Sequence, residues 1–166
     1  MNRLTIIEPL LVALRARLRF LPPTLARLTL GWVFLLSGWG KLHHLPDVID
    51  FFASLGIPAP QLQAPFASGV EFVCGALLLA GLFSRLAAVP LVVVMVVAIA
   101  TARAAELASL GDLFGFIEYL YIVLLAYVAI EGPGPLSLDA LVRGRLAART
   151  GSSLGSAARP AASVRA

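Results

Sequence analysis

Cysteine is nearly absent from this 166-residue chain, histidine occurs only twice, and charge of either sign is scarce. With Cys74 as the single cysteine, no intrachain disulfide and no Cys-x-x-Cys redox pair can form, so thiol exchange by this chain alone is not expected. His43 and His44 are neighbours, so they do not supply facing axial ligands for a haem in a helix bundle. A metal centre needs several ligands converging from separate elements, and none is expected here. Charged residues make up 13% of the chain against 60% hydrophobic, with mean hydropathy +0.93. That balance excludes a soluble domain of this size and points to a polytopic membrane protein.

The net charge of +4 does not imply a nucleic-acid partner, because the arginines gather in the two tails that flank the apolar core. An anionic cytoplasmic leaflet accounts for them better, so membrane lipid is the expected partner. Residues 1–24 read as a basic amphipathic segment on the cytoplasmic surface, with Ile7, Leu10, Leu11, Leu14 and Leu18 at helical spacing and Arg15, Arg17 and Arg19 among and beyond them. A cleaved secretory signal fits less well, since the apolar run is short and no small-residue cleavage site precedes Pro22.

Residues 25–131 hold four apolar runs, at about 25–42, 64–83, 86–102 and 113–130, each near the length a bilayer crossing needs. The expected fold is all-α: an integral membrane four-helix bundle, with a short external interfacial helix from Asp47 to Leu55 between the first two spans. Thr24 is the expected cap of the first span, whose ends carry Arg27 and Lys41, both long enough to snorkel toward head groups. Ser84 and Arg85 are expected to turn the chain between the second and third spans. Residues 132–166 form a cytoplasmic tail in which Ser137 caps a short helix, with disorder expected after about 147, where only Ala, Ser, Gly and Arg dominate. Counting Lys and Arg on alternate sides of the spans places both termini in the cytoplasm.

Glu71 lies inside the second run, and a charge near the middle of a membrane helix costs roughly 2.5 to 3.5 kcal/mol on insertion scales. It therefore needs a partner. With the termini inside, Lys41, Glu71, Arg103 and Glu118 all fall in the outer leaflet, two bases and two acids at similar depth. Each half of the chain reads as a span with a base at its outer end, then a span with a glutamate in its outer third. Left unpaired, four such charges would cost on the order of 10 kcal/mol, so they are expected to form one connected cluster. Two readings stay open. The cluster is a clamp that fixes helix register, or it lines a pocket that also takes in Ser37, Trp39, Tyr119 or Tyr121, and His43 and His44, suited to a quinone head group, a small anion or a lipid head group.

Between Arg27 and Asp139 a set of short motifs stands in a definite order. Gly38 and Lys41 close the first span, Leu55-Gly-Ile-Pro58 follows in the first external loop, and Glu71 precedes Gly75. Gly81-Leu-Phe-Ser-Arg85 and Gly132-Pro-Gly-Pro-Leu-Ser-Leu-Asp139 complete the set. In these the chain resembles the DoxX family of small four-span membrane proteins. The resemblance implies an association with sulfur-compound oxidation coupled to membrane quinone, or with membrane complexes that defend thiols against oxidative stress, and the expected location is the cell (inner) membrane. On that reading the chain is a quinone-side or anchoring subunit of an oxidoreductase complex. Its partner is another membrane or membrane-associated redox protein, it has no covalent cofactor, and quinone is its candidate ligand. The alternative is a non-catalytic assembly or binding protein for another membrane protein or a lipid. Homo-oligomers are compatible with either.

Overall fold

A computed structural model describes residues 17–142 together with 12, 14 and 145. The expectations for the chain before residue 17, apart from 12 and 14, and for the tail after about 147 lie outside the described residues. Among the described residues the protein is all-helical, with no strand. The helices are α1 (Leu21–His43), α2 (Leu45–Ser54), α3 (Pro60–Ala80), α4 (Ser84–Ala102), α5 (Leu110–Gly115) and α6 (Ile117–Glu131), with a 3-10 turn at Ala104–Glu106. Residues 138–142 are also helical. The four longest pack in a closed ring in the order α1, α3, α4, α6 and back to α1, and α2 lies against α3. By length and apolarity α3 and α4 each suffice to cross a bilayer. The core runs through Leu30, Phe34, Leu78, Leu91, Leu125 and Val128, all essentially inaccessible.

The tightest seam is between α1 and α3, where small residues let the backbones meet. A Cβ added to Gly31 would lie 2.6 Å from the Leu79 amide nitrogen, and at Gly38 and Gly75 it would lie closer still to the backbones of Phe72 and Leu35. Between apolar helices in lipid, such close packing replaces the hydrophobic drive that water would supply.

Helix ends depart from the sequence expectations for physical reasons. α1 begins before its prolines, because Pro22 and Pro23 occupy a first turn whose amides have no helical partner. Thr24 is thus already inside the helix, and its hydroxyl donates to the Phe20 carbonyl at 2.7 Å instead of capping. α3 ends at Gly81, whose φ of 72° permits the left-handed turn; Gly81 N–H donates to the Leu78 carbonyl and Leu82 N–H to the Leu77 carbonyl. The turn between α3 and α4 is therefore Gly81 to Phe83, and Ser84 and Arg85 belong to α4. α4 has no cap of its own. The Asp139 carboxylate supplies one from the far end of the chain, accepting from the Phe83 amide at 3.0 Å and the Ser84 amide at 3.4 Å.

Arg27 does not snorkel. It is 4% exposed, and its guanidinium donates to the carbonyls of Leu78 (3.3 Å) and Leu79 (3.2 Å) at the end of α3 and to Leu136 (2.9 Å) in the loop after α6. A cation on the orphan carbonyls of a helix C-terminus is favourable on dipole grounds. Arg27 and Asp139 together strap the segment after α6 to the α3–α4 turn.

The continuous fourth run is split. Ser109 and Asp112 form a reciprocal capping box that starts α5, and Gly115 ends it; Phe116 then takes an extended conformation and becomes the residue before α6. The Asp112 carboxylate is held below its usual range, first by the Ser109 hydroxyl and then by the Ser109 amide. Phe114 thus belongs to a different helix from Glu118, Tyr121 and Leu125, which share α6.

Candidate functional site

Ser37 and Lys41 are four residues apart and so share one face of α1. That face meets Glu71 in the middle of α3. The Lys41 Nζ lies 2.5 Å from Glu71 Oε1, and the Ser37 hydroxyl donates to Oε2 at 2.8 Å. Both carboxylate oxygens therefore have a partner, although the Glu71 side chain is only 1% exposed. Lys41, at 38%, reaches from that buried carboxylate toward the surface.

Arg103 and Glu118 form a second pair instead of joining the first. Arg103 follows α4, and its Nε donates to Glu118 Oε1 at 3.2 Å while its Nη1 meets both oxygens of Glu106 at 3.1 and 3.2 Å. These bonds, to Glu118 first and then to Glu106, raise the guanidinium above its ordinary pKa. Its plane also sits 5.7 Å from the Phe116 ring centroid. Among the described residues no hydrogen bond or ion pair links Arg103 or Glu118 to Lys41 or Glu71. Each half of the chain pairs its own base with its own glutamate. The pairing was expected, and the single cluster of four gives way to two local pairs.

Beside the first pair lies a crevice of about 450 Å³ between α2, α3 and α4. Lys41 and Glu71 are its charged floor, Val48, Phe51 and Phe52 of α2 cover it, and Val94, Val97 and Thr101 of α4 form one wall. Its rim includes strongly exposed apolar side chains, Phe66 on α3 and Val93 on α4. Of the sequence candidates only Lys41 and Glu71 line it, with Ser37 behind Glu71. Tyr121 instead packs edge-on against Phe34 in the core, ring centroids 5.6 Å apart. Trp39 is half-exposed on α1 against His43 and Phe72, and Tyr119 lies against Phe114. Asp47 and Gln63 also line the crevice and were not singled out from the sequence. The sequence does carry a signal for the cover: Val48, Ile49, Phe52 and Leu55 form one apolar stripe at helical spacing, and three of the four line this space.

His43 and His44 each hold a backbone carbonyl of their own helix through Nδ1, Trp39 at 2.9 Å and Gly40 at 3.0 Å. Cys74 is a buried core residue. A larger and more open cavity of about 1120 Å³ lies at the opposite end of the bundle, near Phe20, Pro23 and Tyr127. Its charged residues, Arg19 and Glu131, are surface groups, so the crevice with the buried carboxylate is the stronger candidate.

Comparison with known proteins agrees with the membrane architecture. The DoxX family model matches residues 23–104. A Mycobacterium tuberculosis protein named "Uncharacterized membrane protein Rv3486" is 37% identical over 132 residues, covering 71% of this chain and 80% of its own. The Bacillus subtilis "Putative oxidoreductase CatD" is 28% identical over 120 residues, covering 71% and 84%. The Escherichia coli "Inner membrane protein YphA" is 31% identical over 121 residues, covering 69% and 86%. No solved structure matches the chain significantly.

Proposed function

The chain belongs to the DoxX family of membrane proteins, and on that premise we propose that it binds a quinone-like amphiphile in the α2–α3–α4 crevice, as the quinone-side or anchoring subunit of a redox complex in the inner membrane. The observation that carries this reading is the combination of a largely apolar, partly open space with the Lys41 ammonium and the buried Glu71 carboxylate on its lining. Ligand pockets are mostly apolar with a few placed polar groups, and 450 Å³ is within their usual range. Lys41 keeps hydrogens beyond the one on Glu71 and can donate to a carbonyl oxygen. The apolar rim accepts a tail from lipid. A relative named as an oxidoreductase supports the redox setting, with the electron-carrying centre belonging to a partner protein.

Glu71→Gln keeps the shape and the acceptor for Ser37 while releasing Lys41 from its anchor. It is expected to cut retention of a quinone by gently solubilised protein, read by native mass spectrometry, by tenfold or more with expression and helix content near normal. If wild type retains no quinone and instead carries another membrane protein in stoichiometric amount, the assembly-protein reading replaces this one.

The arginine asymmetry supports termini in the cytoplasm, which puts the crevice in the outer leaflet. In a Cys74→Ala background, single cysteines at Ser54 and Ala108 are expected to react with an impermeant thiol reagent in intact cells, and one at Ser156 to stay unlabelled. The reverse pattern would invert the orientation.

A further inference from the structure

Resting on the reading of the crevice as the ligand site, we propose that Asp47 makes it a charge filter that excludes anionic phospholipids and admits uncharged head groups bearing carbonyl or hydroxyl oxygens. A crevice open to lipid needs such a filter, because phospholipid outnumbers any minor amphiphile around it. The charged groups on its lining are Lys41, Glu71 and Asp47, one cation against two carboxylates. The cation is already neutralised by Glu71 at 2.5 Å. An entering phosphate would therefore meet the exposed Asp47 carboxylate with the one lining cation already paired, and like-charge repulsion at short range is modest in water and larger where lipid displaces it.

Donor capacity points the same way. The Thr101 hydroxyl is already given to the Val97 carbonyl at 2.8 Å, and Gln63 Nε2 donates to the Pro58 carbonyl at 2.6 Å. Few N–H or O–H groups remain for an anion that wants several at once, chiefly the other hydrogens of Lys41 and of the Gln63 amide. One carbonyl oxygen needs only one donor, and the remaining hydrogens of Lys41 supply it without any contact to Asp47. Asp47 stands in the first turn of α2, where a carboxylate also suits the helix dipole, so its position at the crevice costs the fold nothing.

The test uses full-length protein in nanodiscs of phosphatidylcholine alone, or with one third phosphatidylglycerol, and a labelled short-chain quinone as probe. Wild type is expected to bind it with Kd equal within twofold in both. Asp47→Asn is expected to bind normally in phosphatidylcholine and about tenfold more weakly with phosphatidylglycerol, while Asp50→Asn, on the same helix but off the crevice, behaves as wild type. Equal sensitivity of wild type and Asp47→Asn to phosphatidylglycerol overturns the filter. If no quinone binds at all, the quinone reading fails, and the filter is read from lipid retained in native mass spectra. One phosphatidylglycerol held by Asp47→Asn and absent from wild type supports it; the same lipid in both rejects it.

Discussion

Gly75→Val and Gly38→Val are expected to abolish accumulation of folded protein, while Gly40→Ala and Gly69→Ala, on the same two helices, accumulate as wild type. The difference lies in what the new side chain meets. At Gly75 an added Cβ runs into the backbone of Phe34 and Leu35, and at Gly38 into that of Phe72 and the Ser68 carbonyl. A rotamer change cannot relieve a collision with main chain, so α1 and α3 must separate. Overpacking a core ordinarily costs about 1 to 3 kcal/mol. Here separation would also pull Ser37 and Lys41 away from Glu71, leaving that carboxylate buried and unpaired. At Gly40 and Gly69 the added Cβ meets nothing within 4 Å, and alanine favours helix over glycine by about 1 kcal/mol. Yield after size exclusion and thermal melting in detergent would measure this. Well-folded Gly75→Val would mean that the α1–α3 seam is not the spine of the fold.

The same seam explains what the sequence could and could not reveal. Glu71 announced itself because a carboxylate in an apolar run demands a partner, with Lys41 one of the two bases expected in its cluster and Ser37 expected on the pocket lining. The small residues Gly31, Ser37, Gly38 and Gly40 mark α1 in the sequence as a helix that another can approach closely, and the structure makes that contact at Gly31 and Gly38 but not at Gly40, where an added Cβ meets nothing within 4 Å. In the ring, long helices that follow one another in the chain are neighbours in space. By contrast, Arg27 looked like a snorkelling end residue, since nothing local shows that the carbonyls of Leu78, Leu79 and Leu136 converge on it. The break at Phe116 was hidden by an unbroken apolar run, although Ser109, Asp112 and Gly115 form a recognisable start and stop for α5. Placing four charges in one leaflet could not say which neighbours touch. Depth is one coordinate, and pairing also depends on the angle around each helix axis. Asp47 was missed for a related reason: it was read as a helix-start signal, and its place on the crevice depends on how α2 folds back over α3.

Lys41→Met is expected to destabilise the protein by about 3 to 5 kcal/mol, Glu71→Gln by much less, and the double variant to recover most of the Lys41→Met loss. The asymmetry follows from burial. Glu71 is 1% exposed, so removing its cation strands an anion that has only the Ser37 hydroxyl left, and breaking one side of a buried pair costs on that order. Lys41 is 38% exposed, and without Glu71 its flexible stem can carry the ammonium to water or head groups. Replacing both removes the stranded charge altogether, leaving a neutral amide beside a methionine that fills the same path. The coupling between the two sites should therefore reach about 2 to 3 kcal/mol, at the upper end for residues in direct contact. Thermal or denaturant unfolding in one detergent, with all four proteins side by side, gives the cycle. Strictly additive losses would mean that the pair contributes no interaction of its own. A worse outcome for Glu71→Gln than for Lys41→Met would mean that Lys41 is the more deeply buried partner in the membrane. A lysine held that way could not offer its remaining hydrogens to a ligand in the crevice.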